Sequence, residues 1–296
     1  MKTTAKNNFV PILGIGVLVA AIGAFFIQSA SAAPVVLGTT TNFAVLASST
    51  VTNTGTTVIS GTAGGDIGIS PGSSFSDLGT LSTNGVQHLN DAVAITAQTD
   101  LVDAWNDAAG RTPVTEVPTE LGSTTLLPGS YNTANGELGI TGVLTLDGQN
   151  DPNAIFIFIA ESTLITASSS SVVLINDAQP CNVIWIVGSS ATLGTNSTMI
   201  GRVMAMASIT ATTGAEIEGQ LLARTGAVTL DSNIITNNVC AAVPTDTATP
   251  TDSASPSVTP TDLPATSIPW SNLMGLGLVL TLAAMLGVVL RRRIQG

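Results

Sequence analysis

The amino-acid sequence predicts a mainly β fold, a β-solenoid with one long α-helix packed alongside. Three observations predict it. Thr, Ser, Ala, Gly, Val and Ile dominate a chain of 296 residues in which 9% are charged and 4% aromatic, a composition suited to stacked strands with small side chains and tight turns. Four segments of the second half repeat a T-x-x-[TS]-[AGN]-x pattern. One stretch between two strand-rich regions carries helical rather than strand periodicity.

The elements follow in order. Ala33 to Ser82 reads as short strands and turns, in NFAVLASSTVTNTGTTVISG and then GGDIGISPGSS. After Asn84, Val86, Leu89, Val93, Ala97, Leu101, Ala104 and Trp105 recur at steps of three and four. That spacing predicts an amphipathic helix over Val86 to Ala109, about six turns long, with Asn84 as its N-cap and Gly110 and Pro113 as its stop. From Leu121 the strands return and repeat. Segments starting at Thr163, Thr192, Thr210 and Thr229 align, their starts 29, 18 and 19 residues apart; the longer first interval holds an insertion around Asn176 to Asn182. A period of about 20 residues with β-branched runs and small corner residues is the pattern of a solenoid. Coils stacked about 4.7–4.9 Å apart place equivalent threonines in columns, and stacking can hold such a sheet flat. The expected result is an ordered face of hydroxyls and methyls.

The ends carry address information. Lys2 and Lys6 precede an uncharged apolar run, Phe9 to Ile27, and small residues follow up to Ala32. This predicts a secretory signal peptide over residues 1–32, the alternative being an uncleaved anchor. Residues 33–240 form the folded domain, long enough for a sizeable core. Residues 241–267 are rich in Thr, Pro and Ser and read as an extended stalk. Ile268 to Leu290 is uncharged and long enough to span a bilayer, with Arg291, Arg292 and Arg293 beyond it as a cytoplasmic basic tail over 291–296. Leu263-Pro264-Ala265-Thr266-Ser267 resembles the LPxTG cell-wall sorting signal, with Ser267 in place of its glycine. The expected location is therefore the cell surface, with the membrane, and a sortase-like enzyme acting on that motif, as partners.

Charge and chemistry exclude several classes. Formal net charge is −11. Between the two apolar runs only Arg111, Arg202 and Arg224 stand against all nineteen acids, close to −16. Nucleic acid is not an expected partner, because phosphate binding needs a field of Lys and Arg. The single histidine, His88, falls on the predicted helix, where a surface or packing role outweighs catalysis. Asp147, Asp151, Glu161, Asp177 and Asp231 are scattered. Glu216 and Glu218 point the same way if they share a strand, a pairing that a glycosidase could use but that reads first as a solvated face. Gly61 to Gly65 lacks the lysine of a phosphate loop, and no G-x-S-x-G elbow or EF-hand loop occurs. No metal or cofactor is expected, and the chain reads as a non-enzyme. Cys181 and Cys240 belong to an exported domain, where disulfides persist; a bridge between them would clip the C-terminal coils, the alternative being two separate thiols.

The order of strand region, long helix and repeat region resembles the ice-binding proteins of bacteria, fungi and sea-ice algae. The resemblance rests on GGDIGISPGSS, on LLPGSYNTANGELGITGVLTLDGQNDPNAIFIFIAESTLITASSSSVVL, on CNVIWIVGSSATLGTNSTMIG and on ASITATTGAEIEGQLLARTGAVTLDSNIIT. It implies a right-handed, discontinuous β-solenoid of triangular cross-section. Some members carry a T-[AG]-x-[TN] motif on the ice-binding face. Here Thr213-Gly214-Ala215 matches before Glu216 departs, Thr195-Asn196-Ser197-Thr198 departs at Asn196, and Thr166-Ala167-Ser168-Ser169 ends in serine. Ser232 heads a weaker match, and Thr52 and Thr54 extend the surface from another coil. The implied ice-facing residues are Thr52, Thr54, Thr166, Ser168, Ser169, Thr195, Ser197, Thr198, Thr213, Ala215 and Ser232, with Thr166, Thr195 and Thr213 in one column. The implied function is adsorption to ice by a cell-surface monomer. The alternative is an adhesin for polysaccharide or neighbouring cells, which the shortage of exposed aromatics disfavours.

Overall fold

A computed structural model of the chain describes residues 33–241. The signal segment 1–32, the stalk beyond Ala241, the LPATS motif, the span Ile268 to Leu290 and the arginine tail lie outside the described residues. Among the described residues no helix is long and apolar enough to cross a membrane.

Strands here form two parallel sheets, of fifteen and seven strands. Each full coil contributes three strands to three faces. The first coil runs Phe43–Ala47, Thr50–Thr54 and Thr56–Ser60, and the second Asp66–Ile69, Ser74–Asp77 and Thr80–Thr83. The helix α1, Ala92–Ala109, then leads away from these coils. The chain resumes at Val114–Glu116, at the far end of the stack, and coils back toward its beginning. Strand Glu216–Ala223 finally pairs with the first coil, Val45 opposite Leu221, while Val51 meets Val228 and Ile234 meets Val58. The solenoid is thus discontinuous: residues distant in sequence complete one stack.

Corners follow from backbone chemistry. Thr198–Ala205 and Glu216–Ala223 each bend from one face to the next at Gly201 and Gly219. Gly219 has φ +152, and a Cβ there would lie 1.9 Å from the Gly201 carbonyl oxygen, so only glycine fits. At another corner Ser169, Asn196, Gly214, Ser232 and Gly55 all adopt positive φ, between 53° and 70°. They stack coil on coil through Ser169 N–H to Thr195 O, Asn196 N–H to Thr213 O, Gly214 N–H to Asp231 O and Ser232 N–H to Thr54 O.

The interior is columnar. Tyr131, Phe158 and Trp185 occupy equivalent positions on successive coils, their rings stacked with centroids 5.5 and 4.1 Å apart. The buried Trp185 indole donates to Ile200 O at 2.9 Å, satisfying its one polar group. Each fully buried Leu or Ile in this core contributes roughly 1.5–3 kcal/mol of transfer free energy. Outside the coils a second cluster joins Ala97, Leu101, Ala104 and Ala108 of α1 to Ile184, Ile186, Met204 and Leu222. Alanines at the contact let the helix lie close to the sheet, and α1 covers this one face.

The helix is shorter than its periodicity predicts. It begins after Asp91, whose carboxylate accepts from Ala94 N at 2.9 Å; Asn84 is not the cap. Gln87–Leu89 instead forms a strand paired with Asp66–Ile69, because that pairing satisfies backbone groups that a longer helix would withdraw from the sheet. Val86 is accordingly 59% exposed. His88 sits in that strand rather than on the helix, with Nδ1 2.8 Å from Asp91 and Nε2 3.7 Å from Asp66.

Candidate functional site: the seven-stranded face

The seven-stranded sheet stacks, in order, Leu138–Ile140, Leu164–Thr166, Ala191–Leu193, Ile209–Ala211, Val228–Asp231, Thr50–Thr54 and Ser74–Asp77. Two-residue alternation divides each strand. Leu164, Leu193, Ile209, Val228, Leu230 and Val51 are buried, and the residue between each flanking pair turns outward. Register places Gly139, Ile165, Thr192, Thr210, Thr229, Thr52 and Ser76 in one outward column. Thr192 is exposed, and Thr210, Thr229 and Thr52 are half-buried by their neighbours. Four threonines on four consecutive coils therefore present methyl and hydroxyl at the strand spacing of about 4.8 Å. Ile165, 55% exposed, continues the column as a wholly apolar member.

A second column borders the corner. Thr54 pairs with Asp231, and Thr213 Oγ1 donates to the Asp231 carboxylate. Ser232 Oγ adds a hydrogen bond of 3.1 Å. The hydrogen bond from Thr213 chiefly, with those from Ser232 and Thr54, holds the Asp231 carboxyl below its ordinary value. Thr195 Oγ1 lies 3.3 Å from Thr212 Oγ1, which donates to Leu193 O at 2.7 Å. These contacts fix hydroxyl directions before any ligand arrives.

The three arginines among the described residues lie away from this face. Arg111 pairs with Asp107 at 2.7 Å, Arg224 stacks 4.9 Å above the Trp105 ring, and Arg202 lies beneath the N-terminal segment. Among the described residues no cluster of His, Cys, Asp or Glu could hold a metal ion. Glu216 and Glu218 do share a strand, on the third face, opposite Thr198 and Ile200 of the neighbouring coil.

The residues expected from the sequence separate into four groups. Thr52 lies in the central column and Thr54 in the bordering one. Ser168, Ser169, Thr195, Thr213 and Ser232 occupy the corner, exposed or partly so. Thr166, Ser197 and Ala215 are turned inward, with exposures of 5%, 1% and 0%, which corrects the expectation that they face outward. Thr198 begins a strand of the third face instead. Thr195 and Thr213 keep equivalent places on adjoining coils, but Thr166 does not join them in the expected column: Ile165 pairs with Thr192, so the first repeat interval is two residues shorter than the threonine alignment implies. Thr166 instead accepts from Gly194 N at 2.8 Å and donates to Ser197 Oγ at 3.3 Å. The residues missed are Thr192, Thr210 and Thr229. Their signal was present, since each opens a copy of the sequence repeat.

Cys181 and Cys240 form a disulfide with Cα atoms 5.5 Å apart, as the exported-domain reading anticipates.

Residues 45–236 match a family model described as ice-binding-like. An ice-binding protein of Nostoc sp. is 43% identical over 221 residues, covering 74% of this chain and 80% of that protein. One from Flammulina populicola is 31% identical, covering 71% of this chain and 91% of its own. The crystal structure of an ice-binding protein from the Antarctic ascomycete Antarctomyces psychrotrophicus superposes with a TM-score of 0.64 at 40% identity, over 69% of this chain and 98% of that one. Another, from an Antarctic biological consortium, gives 0.65 at 41% identity, over 71% and 93%.

Proposed function

The chain belongs to the ice-binding-like family, and we propose that it adsorbs to ice through its seven-stranded face. The observation that carries this reading is the in-register row Thr192, Thr210, Thr229 and Thr52 on a face that α1 leaves uncovered. Methyls at regular spacing favour cage-like water around them, and the hydroxyls beside them anchor that water to the protein. A face held rigid by stacked backbone loses little entropy on adsorption, which is the benefit of preorganisation. Scarcity of charge favours the same reading, because an ion holds water in its own shell rather than in a lattice. The action is non-catalytic.

The corner residues Ser168, Thr195 and Thr213 extend the contact along one border, with Thr54 beside them. The apolar N-terminal run and the uncharged stretch from Ile268 to Leu290, followed by three arginines, support display at the cell surface from a membrane tether. Nanolitre osmometry of the purified protein tests the central claim: the expected result is thermal hysteresis with faceted crystals. Absence of both at high protein concentration rejects it.

A further inference from the structure

Far from the seven-stranded face, a cleft of about 340 Å³ lies between the N-terminal segment and the disulfide, lined by Val35, Leu37, Asn182, Arg202 and Cys240 among others. Among the described residues Arg202 is the one cationic side chain in its lining. We propose that this cleft is a binding site for a small oxyanion, a carboxylate or phosphate group, held by the Arg202 guanidinium.

The geometry around Arg202 has three parts. First, the side chain is fixed in place. Its Nε donates to Gln220 Oε1 at 3.0 Å, and an η nitrogen donates to Cys181 O. Gln220 is fully buried, and its amide donates to Thr40 O at 2.7 Å and to Phe43 O. Second, its charge is uncompensated: among the described residues no carboxylate forms an ion pair with it. Third, donors remain. A guanidinium carries five N–H groups in a planar fork, and the two hydrogen bonds above leave three of them. The neighbouring amides of Gln179 and Asn182 are committed to the carbonyls of Pro152 and Ala241, so charge recognition falls to Arg202.

Desolvation by the surrounding protein pushes the Arg202 guanidinium down to about 10, the direction expected for a cation without a counter-charge. An oxyanion in the cleft would supply that charge and accept from the free fork edge in bidentate fashion. The volume, near the lower end for ligand pockets, limits the occupant to a small molecule or a single acidic group. This site is independent of the ice-binding face.

The test titrates the full chain with sodium phosphate, and separately with sodium acetate, each against sodium chloride at equal ionic strength. Readouts are the melting temperature and the Arg202 Nε–H resonance. For the preferred anion, the expected result is a saturable shift of the resonance. The melting temperature should rise roughly 3–5 °C for each tenfold excess over its dissociation constant. A larger response to phosphate or to acetate identifies the source of the oxyanion. Arg202→Met should lose the rise. A native protein in which neither anion moves the resonance or the melting temperature more than chloride overturns the proposal, whether or not the variant folds. An undiminished rise in a folded Arg202→Met protein overturns it as well.

Discussion

Replacing Thr210 with Tyr tests the central column where it is most regular. Thr210 stands between Thr192 and Thr229 on the adjoining coils, each about 4.8 Å away. A phenol ring there stands above the plane of the neighbouring methyls and holds a flat lattice off the coils on either side. Thr192, Thr210 and Thr229 then lose contact together, three of the four threonines in the row. Thermal hysteresis should fall severalfold. Stability should hardly change, because the half-exposed side chain has no core role and such surface substitutions stay within about 0.5 kcal/mol. For a domain of this size that is a melting shift of roughly 1–2 °C. The matched control is Thr236→Tyr, on the third face beside Glu218, which should leave hysteresis intact. Nanolitre osmometry and circular dichroism melting provide both readouts. Full hysteresis in a normally melting Thr210→Tyr protein would refute the assignment of the face. Equal losses in both variants would show that bulk on any face suffices, and would refute the column argument.

Three further outcomes follow from the same geometry. Thr166→Val removes the acceptor of the buried Gly194 N–H; thermal melting should register a loss of about 1–3 kcal/mol, with hysteresis unchanged below the melting range. Breaking the Cys181–Cys240 bridge by reduction, or by the paired serine variant, should lower stability by about 2–4 kcal/mol in denaturant titration. Asp231 and Asp77 have carboxyls lowered from 3.8, Asp231 chiefly by Thr213 and Asp77 chiefly by Asn53. A depressed acid stabilises the fold above its unfolded value and loses that contribution as pH falls through its folded value. Melting temperature measured against pH should therefore be flat above about pH 5 for these groups and decline below 3.8, with a smaller decline in Asp231→Asn.

Fold class, repeat and the scarcity of charged and reactive side chains are all written in local residue pattern. Stacked coils demand the same residue type at the same place on each turn, so Thr192, Thr210 and Thr229 are visible as a period of 18 and 19 residues. The helical spacing of Ala97, Leu101 and Ala104 was equally legible, because each touches one surface. Which side chains face outward depends instead on how the coils close at their corners. The T-[AG]-x-[TN] segments straddle a corner where Ser169, Asn196, Gly214 and Ser232 adopt left-handed backbone. Such a residue resets the two-residue alternation, so direction cannot be carried across it from the strand. That is why Thr166 and Ser197 point inward while Ser168 and Thr195 do not. Long-range pairing decided the rest. Gln87–Leu89 left the helical pattern because Asp66–Ile69 offered backbone partners, and the first coil joined the last because exposed strand edges pair wherever a complementary edge is brought within reach. Local spacing records neither event, since both depend on residues far apart in the chain.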